Sequence, residues 1–149
     1  MRILLTNLFL LVATIVFAQT DYYTKKGAVV EGYDVTEYFN DKAVKGNKEI
    51  SSVYDGAKFL FTSEANREKF EANPEKYIPQ YGGYCAYAIG MSGDLVKINP
   101  ETYEIRGGKL YMFYNSWGTN TLKKWQENDP ESLKNKADNN WVKINNKPD

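Results

Sequence analysis

Residues 51–77 read SSVYDGAKFLFTSEANREKFEANPEKY, and this stretch decides the fold class. Asp55-Gly56 lies between two β-prone runs, Ser51–Tyr54 and Lys58–Phe61. A two-residue turn between such runs needs positive φ, which glycine supplies without steric cost, so the segment is predicted to be a β-hairpin. Ser63 then stands where a helix wants its N-cap, and Ala65, Phe70 and Ala72 share one face of the helix that follows. Asn73-Pro74 stops that helix, because a residue before proline is pushed out of the α region. Glu75–Tyr77 adds one further turn before Pro79.

Working outward, Tyr33–Phe39 reads as a short helix capped by Asp34 with Tyr38 and Phe39 directed inward, and Ala28–Val30 and Lys42–Gly46 read as short strands. Downstream, residues 80–90 (QYGGYCAYAIG) are small, aromatic and apolar, and their alternation does not separate a strand from a buried helix. Lys97-Ile98 and Tyr103–Ile105 against Lys109–Tyr114 form a second hairpin turned at Gly107-Gly108. Residues 117–127 and 131–141 read as amphipathic helices with Leu122, Trp125, Leu133, Ala137 and Trp141 inward, and Pro130 suits the first turn of the second. The expected fold is α+β: two β-hairpins packed with about four helices in one small domain. That domain is placed at residues 32–144, after an N-terminal arm at 19–31 and before a polar tail at 145–149.

The first residues, MRILLTNLFLLVATIVFAQT, carry one basic residue and then a largely apolar run. Val16 and Ala18 are small residues at the −3 and −1 positions of a peptidase site. Residues 1–18 are therefore expected to be a signal peptide cleaved between Ala18 and Gln19, and the protein to be exported, periplasmic or secreted. The run is shorter than the roughly 20 apolar residues of a membrane-spanning helix, so no membrane anchor is expected after cleavage. Losing Arg2 removes one positive charge from a balanced total of 19 basic and 19 acidic residues. A surface so close to neutral argues against nucleic acid or an anionic membrane as partner, since both reward clustered Lys and Arg. A protein partner or a second copy stays open.

The chain has one cysteine, Cys85, and no histidine. The lone cysteine excludes an internal disulfide, and the missing imidazoles exclude histidine-based triads and His-rich zinc or haem sites. Twelve tyrosines suit half-buried positions or a pocket wall, and Tyr33, Tyr38, Tyr81, Tyr84 and Tyr87, with Gly82 and Gly83, are the candidate ligand-pocket residues. Glu64 with Glu68, and Glu71 with Glu75, are spaced one helical turn apart, as helix-surface charge is.

The run Tyr54–Tyr77 resembles the YHS domain, a small module related to the TRASH-type metal-binding fold. Gly32-Tyr33-Asp34 with Tyr38-Phe39, then Gln80–Tyr87, Gly108–Tyr111 with Tyr114-Asn115, and the late Trp125 and Ala137–Trp141 are similar to the exported YHS-domain proteins. The resemblance implies a hairpin-and-helix module embedded in the domain, and in metal-binding members a cysteine pair. Here those two positions hold Thr62 and Asn66. Neither supplies a thiolate, so that ligand pair is not carried over.

Cys85 keeps several readings. It packs as a small hydrophobe, it ligates copper or another soft metal with Met91 or a tyrosine oxygen, it is a reactive thiol, or it bridges to another chain. A thiolate with a thioether suits Cu(I) better than Zn(II), which usually takes four firm ligands. Against reactivity, no histidine is at hand as a base and no second cysteine as a resolver. The preferred reading is a non-catalytic exported binding module that can handle a soft metal through Cys85. The alternatives are a thiol-dependent redox protein or enzyme, and a structural or interaction domain with Cys85 in its core.

Overall fold

The computed structural model describes residues 19–146. The expected signal peptide and residues 147–149 of the expected tail lie outside the described residues. The α+β class is what the structure has, with four two-stranded antiparallel sheets and five α-helices among those residues.

β3 (Asn47–Tyr54) and β4 (Ala57–Phe61) form the first expected hairpin, and Asp55 and Gly56 both take positive φ, +49° and +75°. That combination matches the right-handed twist of the flanking strands. β4 buries Phe59, Leu60 and Phe61. Ser63 caps α1 (Glu64–Ala72) by accepting the Asn66 N–H at 3.1 Å. The inward face of α1 is Asn66 and Phe70, while Ala65 and Ala72 are exposed. A polar side chain occupies the inner face because it has buried partners there. α2 (Pro74–Tyr77) follows the proline break and buries Tyr77.

The second expected hairpin is β5 (Asn99–Arg106) with β6 (Lys109–Phe113). β6 is the wall between two cores, since neighbouring side chains on a strand point to opposite faces. Leu110 and Met112 enter a core with Tyr22, Val29, Val30, Val35, Tyr38, Phe59, Phe61 and Phe70. Tyr111 and Phe113 enter a second core with Ile89, Trp125, Leu133 and Ala137. The ambiguous segment 80–90 becomes a turn at Gln80–Gly83 and then α3 (Ala86–Ser92). It lies along the free edge of β6, with parallel bridges Pro79 to Leu110 and Cys85 to Met112.

Three expectations are corrected. Residues 117–120 are not helical: β7 (Asn115–Ser116) and β8 (Thr119–Asn120) flank a turn whose Trp117 is 94% exposed, and α4 starts at Thr121 and runs to Glu127. Asn120 is the reason, because its side chain accepts the Leu122 and Lys123 N–H groups and fixes the helix start. Lys42–Gly46 is not a strand; one bridge, Tyr33 to Lys45, is all that forms. Asp34 does not cap the turn at Glu37–Asn40, where Thr36 holds the N-cap position and its hydroxyl bonds to Asp34 instead of capping the turn's N–H groups.

The arm is woven into the first core. β1 (Thr24–Lys25) pairs with β2 (Ala28–Val29), and Val29 and Val30 are fully buried. The last helix, α5 (Pro130–Asn145), runs past Trp141, with Pro130 in its first turn and Asp129 accepting the Ser132 N–H. Among the described residues no helix is long and apolar enough to cross a membrane.

Candidate functional site

The polar centre of the hairpin–helix module is Asp34, which is fully buried. Its Oδ1 accepts the Thr36 N–H at 2.9 Å and the Thr36 hydroxyl at 2.7 Å. Its Oδ2 accepts the Thr62 N–H at 2.8 Å, the Thr62 hydroxyl at 2.9 Å and the Asn66 Nδ2 at 2.9 Å. Asn66 Nδ2 also donates to Glu37 Oε1 at 2.7 Å. A buried carboxylate costs free energy unless its lone pairs are occupied, and five donors occupy these. Thr62 directly follows β4 and Asn66 lies in the first turn of α1, so the carboxylate ties both to the segment leading into the turn at Glu37–Asn40. The positions where a soft-metal pair would sit are thus consumed by hydrogen bonds to a hard oxygen acceptor, and these residues do not fit a soft metal.

Cys85 is also fully buried. Its N–H donates to Val96 O at 3.0 Å, and its Sγ accepts the Tyr114 N–H at 3.4 Å and lies 3.3 Å from Thr121 Oγ1. The thiol is therefore a joint between α3, the end of β6 and the start of α4. Met91, its expected partner, is 59% exposed at the other end of α3, so the structure does not gather the two. Among the described residues no group of three or more Cys, Asp or Glu side chains is placed to hold a metal ion.

The tyrosines serve separate neighbourhoods instead of one pocket. Tyr38 is buried, donates to Pro100 O at 2.7 Å and stacks edge-on against Tyr103; burial first, then nearby hydroxyls and carboxylates, pushes its hydroxyl well above the ordinary range. Tyr81 is buried against Tyr111 and Trp141 and donates to Asp138 Oδ1 at 2.7 Å; burial and that bond raise its pKa strongly. Tyr84 is half-buried beside Tyr23 and Trp141. Tyr87 packs partly against both cores. Gly82 and Gly83 have positive φ, and a Cβ on Gly82 would run into the Asp21 carbonyl oxygen, so the glycine lets the arm dock.

Two of those tyrosines line open clefts: Tyr81 with Gly82, Asp138 and Trp141 borders one of about 300 Å³, and Tyr33 borders another on a different face. The walls of the Tyr33 cleft include Lys25, Glu31, Lys97, Tyr114 and Asn115 around about 360 Å³. An adjoining recess of about 240 Å³ shares Lys25 and Glu31 and is rimmed by Lys26, Lys45, Lys48 and Lys58 over a floor of Ala28 and Leu60. Val30, Glu31 and Gly32 have φ of +49°, +55° and +83°, three left-handed residues in a row. For β-branched Val30 this is an outlier, and such strain clusters where the backbone is shaped for a purpose. The turn aims Glu31 so that its Oε1 accepts Tyr23 OH at 2.9 Å and Lys25 Nζ at 3.2 Å. Sequence reasoning missed this region because its lysines come from β1, β3, β4 and the loops between them. It missed the Asp34 network because Asp34 and Asn66 are 32 residues apart; the local signal was Asp34-x-Thr36, an aspartate able to bond the backbone two residues on.

Residues 35–81 match the family model of the YHS domain. The match takes in Thr62 and Asn66 and ends before Cys85. No curated protein and no solved structure matches the chain.

Proposed function

We propose that this YHS-domain-containing chain is a non-catalytic binding module that acts outside the cytoplasm once residues 1–18 are removed. The observation that carries this reading is the closed polar centre: Asp34, Thr62 and Asn66 satisfy one another, leaving no thiolate pair at the positions where a soft metal would be held. Cys85 adds no chemistry of its own on this reading. It is sealed from solvent, it has hydroxyl and amide neighbours, and the chain holds no imidazole to deprotonate it. Binding then falls to the surface, at the joined cleft and recess around Glu31.

The test is the behaviour of the thiol. Native protein treated with an aromatic disulfide reagent should stay unlabelled and react stoichiometrically only after denaturation. Cu(I) should shift the melting temperatures of wild type and Cys85→Ala equally, because a ligand stabilises only the state it binds. Fast native labelling, or stabilisation of wild type alone by Cu(I), would return the function to Cys85.

A further inference from the structure

Basic and acidic residues balance at 19 each over the whole chain, yet five lysines stand round one recess against one carboxylate. That carboxylate, Glu31, is already held by Lys25 and the Tyr23 hydroxyl. The remaining rim charges, Lys26, Lys45, Lys48 and Lys58, form no ion pair with an acidic side chain among the described residues. Ammonium groups so gathered repel one another, and an anion between them removes that penalty while its field is focused by the concave wall. The floor is different in kind. Ala28 and Leu60 are buried apolar side chains, and Gly32 and Gly46 present bare backbone. Gly46 can press onto Leu60 only without a Cβ, and its N–H donates to Gly32 O at 2.8 Å. This contact holds the Lys45 and Lys48 segment over the recess.

We propose that this recess binds a small organic anion, with a phosphate or carboxylate head met by the lysines and a short apolar body on Ala28 and Leu60. At about 240 Å³ the space is small, below the roughly 300 Å³ at which drug-sized pockets begin. That excludes a polymer threaded through it and selects a compact ligand. The inference rests on the binding-module reading and gives that module its ligand class. Tests of the two fail separately: an inert Cys85 with no anion binding overturns only the ligand class, whereas a metal-responsive Cys85 overturns the reading beneath it.

The experiment is isothermal titration calorimetry of the purified chain with phenyl phosphate, benzoate and inorganic phosphate. Phenyl phosphate or benzoate should bind at least about tenfold tighter than inorganic phosphate, and the binding should weaken as salt is raised. Lys45→Gln with Lys58→Gln should lower that affinity about tenfold or more, while Lys123→Gln with Lys124→Gln, on α4 away from the recess, should leave it unchanged. All four lysines are on the surface, so a matching thermal melt shows that the variants fold. Binding no tighter than that of inorganic phosphate, or an equal loss in both double variants, overturns the proposal.

Discussion

Replacing Asp34 with alanine would leave five donors facing a space that their acceptor used to fill. They do not suffer equally. The hydroxyls of Thr36 and Thr62 can rotate, and Asn66 Nδ2 keeps Glu37 Oε1 at 2.7 Å. The N–H groups of Thr36 and Thr62 cannot turn, and a buried donor left without a partner costs about 1–3 kcal/mol. Two such donors and the small void give about 3–5 kcal/mol, after allowing for the burial cost that removing the charge relieves. Against a total of about 5–15 kcal/mol this is a large fraction, and it lowers the melting temperature by about 10–20 °C. Asp34→Asn keeps the shape but turns one oxygen into a donor among donors, so it should lose about 2–3 kcal/mol. Urea unfolding followed by circular dichroism measures both, and the slope with denaturant should stay that of wild type. A loss below about 1 kcal/mol in Asp34→Ala, or an Asp34→Asn variant as stable as wild type, would refute the claim that this carboxylate organises the module.

Two further outcomes follow from the glycines and the tyrosines. Gly82→Ala should cost about 2–4 kcal/mol, since its φ of +60° is unfavourable for alanine and the new methyl displaces Asp21 and the Tyr23 N–H bond to Gly82 O. Gly107→Ala, with φ +56° and nothing within 4 Å, should lose only about 1–2 kcal/mol from the backbone term, and equal losses in a paired urea titration would contradict the docking role of Gly82. In base, burial and the Asp138 bond hold Tyr81 above its ordinary value of 10.0, and burial does the same to Tyr38. A raised folded value means that this stability is fully present below pH 10 and is lost as pH rises past it, by about 1.4 kcal/mol per pH unit for each such tyrosine. Urea midpoints measured across that range should therefore fall, less steeply in Tyr81→Phe; a flat profile would show that these hydroxyls ionise freely in the folded chain.

The two long hairpins were legible because their signals are local. Asp55-Gly56 and Gly107-Gly108 each combine positive φ with adjoining β-prone residues, and both turns form where expected. Ser63, Pro74 and Pro130 likewise marked helix boundaries through bonds or steric effects within a few residues. Reading failed where the partner lies far along the chain. The inner face of α1 follows Asn66 and not Ala65 because Asp34 waits 32 residues upstream. Residues 117–120 fit a helical pattern in sequence, yet Asn120 spends its side chain on capping α4 and starts the helix at Thr121.

What the sequence by itself determined is the α+β class, the hairpin-to-helix order of residues 51–77, the absence of histidine chemistry and the solitude of Cys85. These depend on composition and on interactions that reach only a few residues. Only the tertiary structure decided that Cys85 is closed in behind β6, that Thr62 and Asn66 belong to Asp34, and that Lys25, Lys26, Lys45, Lys48 and Lys58 share one recess. Burial and charge convergence are properties of three-dimensional neighbours, and chain order alone does not encode which distant residues those neighbours are.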